Sequence, residues 1–243
     1  MAVVLAAGKG TRLRTGESDA PKVMREVCGR PLLWYVLEAL SFIGKENIVI
    51  VVGYMKDAVM DYFSGYRFAQ QAVQLGTGHA VMSAEAEFKD FGGSVLVCYG
   101  DMPVITKDTY SAFLGAHFEQ GNDCTILTGE SELRLPYGRI IRDSNGGFKQ
   151  IVEEKDCSPE ELRVTELNSG VYAFRAGILP ETLKSIKNEN TQGEYYVTEA
   201  PAIMLARGAK IGIFKRDLRE ELIGVNTLED LSQVEKILLH GGI

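Results

Sequence analysis

Residues 48–52 read Ile-Val-Ile-Val-Val, a run with no polar position in it. β-branched side chains suit the extended pleat. A strand with one wet face alternates apolar and polar residues, so a strand without alternation has to be covered on both faces. The same signature recurs at 2–5 (AVVL) and 94–98 (SVLVC). Stretches of helical spacing lie between them, at 31–42, opened by a proline, and at 76–88. Strands buried on both faces and separated by helices predict a parallel α/β sheet with helical layers on either side.

The pattern changes past the middle of the chain. Residues 138–143 and 148–153 flank Ser144-Asn145-Gly146-Gly147, turn chemistry that predicts an antiparallel hairpin. Further on, 169–174 reads as a strand, 195–207 as a helix stopped by Gly208, and 211–214 as a short strand. A last helix is expected over 227–239 with Thr227 as its N-cap. No repeat or low-complexity linker interrupts the chain, which favours one continuous sheet whose second half adds a substrate-side lobe.

Composition narrows the function classes. With 243 residues, 45% of them hydrophobic, there is enough material for a full core. A net charge of -7 argues against a general nucleic-acid binder, which carries a basic face. No run approaches the roughly 20 apolar residues that span a membrane. The opening MAVVLAAG lacks the basic start and cleavage site of a signal peptide, so it reads as a strand, and a cytoplasmic location is expected. Cys28, Cys98, Cys124 and Cys157 are scattered, without the paired spacing of a zinc site, and are expected as reduced thiols.

Chemistry concentrates after the apolar runs. The first strand ends in Leu5-Ala6-Ala7-Gly8-Lys9-Gly10-Thr11-Arg12. Glycines let the backbone approach a ligand and aim N–H groups at it, and Lys9 and Arg12 add charge. The segment is a phosphate cradle by composition or an ordinary glycine-rich turn. It is neither a P-loop nor the dinucleotide fingerprint, because Leu13 stands where that pattern needs a glycine. Lys22, after Pro21, is either a solvated cation or a second phosphate partner. Gly76-Thr77-Gly78 opens a helix with N–H groups expected free and room for a flat base, and Gln71 offers both a donor and an acceptor to a pyrimidine edge. His79 reads as a structural histidine before a catalytic base. Asp101 closes the run 95–101 that continues the strand at 94–98, where ligands of open α/β sheets sit, and is either a Mg²⁺ ligand or a turn former.

Taken in order, LAAGKGTR (5–12), PK (21–22), QLGTGHA (74–80), YGD (99–101), YGRI (137–140), IVEEKD (151–156), NSG (168–170), GEYYVTE (193–199) and GVN (224–226) resemble one family. It is the uridyltransferase domain of bacterial N-acetylglucosamine-1-phosphate uridyltransferases. The first motif marks only the wider superfamily of sugar nucleotidyltransferases; LGTGHA, YGRI and GEYY are narrower. The resemblance implies the nucleotide-diphospho-sugar transferase fold: α/β, Rossmann-like, with a mixed, mostly parallel sheet flanked by helices and an antiparallel substrate-side lobe. It implies transfer of a uridylyl group from UTP to N-acetylglucosamine 1-phosphate, giving UDP-N-acetylglucosamine and pyrophosphate for cell-wall precursor synthesis, with Mg²⁺ as cofactor. Sister enzymes that act on glucose 1-phosphate, as uridylyl- or thymidylyltransferases, are the alternative.

The resemblance also implies roles. Leu5, Ala6, Ala7 and Gly8 would form the nucleotide loop, with Arg12 on the triphosphate and Lys22 on the phosphates at the reacting centre. Gln71, Gly76 and Thr77 would read uracil, and Tyr99 and Gly100 would line the site. Asp101 and Asn226 would hold Mg²⁺. Gly138, Glu153 and Asn168 would hold the amino sugar, and Tyr196 and Thr198 would close over the sugar phosphate. Glu199 stands where many relatives have aspartate. The expected organisation is a transferase domain over 1–226, followed at 227–243 by a helix that begins a linker. The hexapeptide repeats of the family's acetyltransferase domain have no counterpart here, so the trimer that domain builds is not expected.

Overall fold

The computed structural model describes residues 1–10, 20–132 and 135–241. Strand β1 (Ala2–Leu5) is entirely buried. After the described chain resumes, a small ladder of β2 (Glu26–Val27) and β3 (Arg30–Pro31) leads into helix α1 (Leu32–Ala39). Pro31 sits at its N-cap, and α1 ends before the residue-42 limit read from the sequence, giving way to a 3₁₀ turn at Ser41–Ile43. Then follow β4 (Ile48–Val52), α2 (Lys56–Tyr62) and β5 (Arg67–Gln70). The helix expected over 76–88 breaks at Ala84 into α3 (Thr77–Ser83) and α4 (Glu85–Phe88).

Next come β6 (Ser94–Tyr99), α5 (Lys107–Gln120) and β7 (Cys124–Glu130). The expected hairpin is β8 (Arg139–Arg142) and β9 (Phe148–Val152), paired antiparallel. The strand expected over 169–174 is longer, β10 (Glu166–Arg175), and is followed by α6 (Leu179–Leu183). Helix α7 (Ala200–Ala206) begins later than the 195–207 pattern suggests. The cause is Tyr195, held in an extended link by its N–H to the Leu75 carbonyl (2.8 Å) and its carbonyl to the Gly78 N–H (2.7 Å). Strand β11 (Ile211–Lys215) and helix α8 (Leu228–Gly241) are the last elements among the described residues. The Thr227 hydroxyl accepts the Asp230 N–H (3.1 Å), and the Asp230 carboxylate accepts the N–H groups of Asn226 and Thr227 (2.8 Å each), a reciprocal cap.

Among the described residues the main sheet has nine strands, ordered β11-β7-β10-β6-β1-β4-β5 along its path, with β8 on β10 and β9 on β8. Neighbours are parallel except around β10, which runs against both β6 and β7. The sheet is therefore mixed but mostly parallel, with the antiparallel hairpin as its side lobe. The chain moves from β1 to β4 and β5, then reverses to β6 on the other side of β1. That reversal opens a crevice at the carboxyl ends of β1 and β6, the usual ligand position in open α/β sheets.

The strand period of two explains why β4 carries no polar residue. Val49 and Val51 enter one apolar layer with Val3, Val97, Val81 and Phe88. Ile48, Ile50 and Val52 enter the opposite layer with Val4, Leu33, Leu37 and Phe113. All five β4 side chains are at most 1% exposed, and each such burial contributes roughly 1.5–3 kcal/mol. Helix α8 adds a third, smaller cluster by packing Val234 and Leu231 with Val27, Leu32 and Tyr35. Among the described residues no helix is long and apolar enough to cross a membrane.

Candidate active site

A cavity of 510 Å³ lies at the crevice, within the range usual for small-molecule sites. One wall is the turn leaving β1, where Leu5, Ala6, Ala7 and Gly8 all face the space, joined by Lys9 and Gly10. The sheet holds that turn in place: the Ala6 N–H reaches the Val51 carbonyl (2.9 Å) and the Leu5 carbonyl accepts the Gly100 N–H (2.9 Å). Arg12 lies outside the described residues. Gln71, Gly76 and Thr77 form the opposite wall, with Gln74. This wall is tied to the segment before α7 through Tyr195 and through the Val197 N–H on the Thr77 hydroxyl (3.0 Å). The Gly78 N–H, read from the sequence as free for a ligand, is consumed by the Tyr195 carbonyl.

A second cavity of 180 Å³ adjoins the first and is lined by Gly138, Glu153 and Asn168, together with Tyr137 and Gly170. The two spaces share Tyr99, Asp101 and Asn226. Gly170 explains how the Tyr99 ring fits. Its φ is +77°, and a Cβ built there would meet Tyr99 Cε2 at 2.2 Å, so glycine is required by both backbone and space. Burial, then the Glu153 carboxylate, pushes the Tyr99 phenol well up, with a Thr77 hydrogen bond acting the other way.

Lys22 stands where the cavities meet. Its ammonium pairs with the Asp101 carboxylate and donates to Asn226 Oδ1 at 2.8 Å. The two side chains of the ion pair are 13% and 24% exposed, so the charges are shielded from bulk water. Asn226 is aimed by the cap of α8, since its own N–H is held by Asp230. Asp101 and Asn226 thus converge two oxygens on a single cation position, filled here by the lysine. A carboxylate and an amide oxygen, with room for phosphates beside them, suit Mg²⁺, which takes few protein ligands. Among the described residues no group of three or more His, Cys, Asp or Glu forms a complete metal cage.

In the second cavity, burial raises the Glu153 pKa, the Thr198 hydroxyl donating to its Oε1 (3.0 Å) opposes the shift, and Asp156 and Glu194 add to it. Asn168 donates to the Tyr172 hydroxyl (2.6 Å) and accepts the Gly170 N–H (3.2 Å).

Three expected positions line neither cavity. Gly100 packs beneath the site, where a Cβ would lie 3.1 Å from Leu33 Cδ1 and 3.3 Å from the Leu5 carbonyl. Tyr196 is buried, with its phenol pushed up to about 12 by burial first and then by surrounding carboxylates. Thr198 is also buried and acts behind Glu153. Conversely, Tyr137, which adjoins Gly138, carries no expected role yet belongs to the site. It lines the second cavity and accepts the Gly224 N–H at 2.8 Å, tying the loop before β8 to the approach to Asn226. The YGRI motif carried that signal, but the partner lies far along the chain.

The chain matches the MobA-like NTP transferase domain over residues 2–198. It is 45% identical over 239 residues to a bifunctional protein GlmU of Caldanaerobacter subterraneus subsp. tengcongensis, covering 98% of this chain and 51% of that protein. Its identity with the namesake of Alkaliphilus metalliredigens is 43% over 238 residues, with the same coverage of 98% and 51%. The chain therefore spans about half the length of these curated relatives. A structure of UDP-glucose pyrophosphorylase complexed with UDP-glucose superposes with a TM-score of 0.79 at 19% identity, over 99% of this chain and 98% of the other, a likeness of fold. With a domain match over most of its length, on the mixed sheet and crevice described above, this chain belongs to the MobA-like NTP transferase family.

Proposed function

We propose that the chain transfers a uridylyl group from UTP to N-acetylglucosamine 1-phosphate, releasing pyrophosphate and UDP-N-acetylglucosamine. The observation that carries the reading is the meeting of the two cavities at Lys22, Asp101 and Asn226. The larger space, between the 5–10 turn and Gln71–Thr77, takes the nucleotide. The smaller one, with Glu153, Asn168 and Gly138, takes the sugar. Their junction is then the place where phosphate oxygen meets α-phosphorus.

The sugar-phosphate oxygen attacks the α-phosphorus in line, and the bond to the leaving pyrophosphate breaks. That oxygen is already anionic, so no protein nucleophile or base is needed. The work of the chain is positioning and charge neutralisation. Lys22 offsets charge at the reacting phosphates, and Arg12 is assigned to the triphosphate. Backbone groups of Leu5, Ala6, Ala7 and Gly8 hold the nucleotide. Asp101 and Asn226 would hold Mg²⁺ in place of the Lys22 ammonium, and the ion would supply Lewis-acid polarisation of the phosphoryl oxygens. Glu153, oriented by Thr198, Asn168 and Gly138 fix the sugar. All of these residues fall within 1–226, and both substrates are charged metabolites of the cytoplasm.

The test is pyrophosphate release from UTP and Mg²⁺ with N-acetylglucosamine 1-phosphate or glucose 1-phosphate as acceptor. Release with the amino sugar is expected. Release with glucose 1-phosphate alone would replace the substrate, and release with neither would overturn the reaction.

A further inference from the structure

Gln71 is 3% exposed and lines the larger cavity, yet its amide nitrogen is spent inside the protein. It lies 3.0 Å from the Gly76 carbonyl. A carbonyl oxygen only accepts, so the atom facing it has to be the NH₂. The same nitrogen lies 3.0 Å from Nδ1 of His79. Its second hydrogen can be received there only by an imidazole lone pair, which makes His79 a neutral ring with its proton on Nε2. Among the described residues Oε1 of Gln71 has no hydrogen-bond partner. It is the polar atom left for the cavity, and it can only accept.

We infer that His79 is a positioning residue which, with Gly76, locks the Gln71 amide so that the cavity presents an acceptor and selects a pyrimidine with an N3–H over cytosine. Uracil donates from N3, whereas cytosine presents a lone pair there and meets the Gln71 oxygen repulsively. A free glutamine reads both bases by rotating its amide; one pinned through nitrogen reads one. The inference rests on the uridylyl-transfer reading and adds to it the origin of base choice. His79 lines neither cavity, so it acts through Gln71.

The experiment compares UTP and CTP as donors, with N-acetylglucosamine 1-phosphate and Mg²⁺, for the wild type, His79→Leu and His79→Asn. Asparagine places Oδ1 near the position of Nδ1 and still accepts. Loss of one net hydrogen bond predicts a rise of roughly 2- to 13-fold in KM for UTP in the leucine variant. The preference for UTP over CTP should fall by at least as much, with kcat and the sugar-phosphate KM unchanged, and asparagine should restore both. An unchanged UTP/CTP ratio in a folded leucine variant would overturn the inference. So would a joint loss of kcat and both KM values that asparagine does not rescue, which marks a structural role. A wild type that uses both nucleotides alike overturns the base lock before any variant is made and leaves uridylyl transfer standing, whereas one that uses neither sinks the underlying reading too. Should the leucine variant not fold, imidazole ¹⁵N spectra of the intact protein, with His79 assigned by difference from His79→Asn, decide the matter. Protonation at Nε2 supports the lock, and protonation at Nδ1 overturns it.

Discussion

Replacing Gly170 by alanine should cost the protein far more than replacing Gly146, although both glycines have the same backbone sign. Gly170 has φ +77° and Gly146 has φ +80°. Each alanine therefore pays the penalty of a left-handed residue, about 1–2 kcal/mol. The difference lies in what the new methyl meets. At Gly146, in the exposed β8–β9 turn, nothing lies within 4 Å. At Gly170 the methyl would sit 2.2 Å and 2.4 Å from Tyr99 Cε2 and Cδ2, so a ring that borders both cavities has to move. Overpacking of this kind adds about 1–3 kcal/mol. The Gly170 total of about 2–5 kcal/mol converts, at roughly 2–4 °C per kcal/mol for a chain of this size, into a Tm drop of about 4–20 °C. Gly146→Ala should lose only about 2–8 °C. Scanning calorimetry of both variants measures the contrast, and turnover by folded Gly170→Ala should fall further as Tyr99 intrudes on both cavities. Equal Tm shifts would refute the reasoning, because they would leave the Tyr99 contact without energetic weight.

Lys22→Met should leave the fold intact and reduce pyrophosphate release by about 100- to 1000-fold, the usual cost of one preorganised charge contact; turnover near that of the wild type would remove Lys22 from the mechanism. Glu153 carries a pKa raised by burial above its ordinary 4.5, so its ionised form is a folding penalty that is relieved as pH falls. Glu153→Gln should therefore raise Tm at neutral pH, lose that advantage in acid, and raise KM for the sugar phosphate, as read by calorimetry and steady-state kinetics. His117 is buried between the Thr125 and Ser94 hydroxyls (2.8 and 2.9 Å), and its pKa is lowered from 6.5 by burial and then by Arg175, against Asp123. The unfolded chain protonates first, so stability present above 6.5 should be lost as pH falls through that value toward the lower folded pKa. Urea midpoints should show this decline in the wild type and a flatter one in His117→Gln.

The parts of the fold that can be read in the sequence are those whose own residues declare their surroundings. β1, β4 and β6 have no wet face, so their apolar runs imply cover on both sides, and Thr227 announces the start of α8. Strand β7 gives no such sign. Its Thr125 and Thr128 are buried because His117 and Glu166, supplied by α5 and β10, bond to them. Polar core positions become legible only once distant partners are known. The site divides in the same way. Glycines, Lys22 and Asp101 stand out beside strand ends, and the structure gathers them around one crevice. The support of Glu153 by Thr198, the tie from Tyr137 to Gly224 and the packing of Gly100 against Leu33 all depend on contacts that local pattern does not encode.

Strand β10 is bonded on both sides at Tyr172 to Phe174, and the cavity residues Asn168 and Gly170 belong to the same strand, at the irregularity that precedes that stretch. The other cavity wall, around Gln71 and Gly76, is a connecting loop. Amide hydrogens on the two walls should therefore exchange with solvent on different clocks. Those of the laddered β10 residues, Leu167 and Tyr172 to Phe174, are released only when the whole sheet opens, whereas those of the loop escape through local opening. A nucleotide bound against the loop would slow it toward the pace of the strand. The strand would slow only by as much as the ligand raises global stability. Hydrogen exchange should thus separate a fixed wall, on the side proposed for the sugar, from a wall on the proposed nucleotide side that tightens on loading.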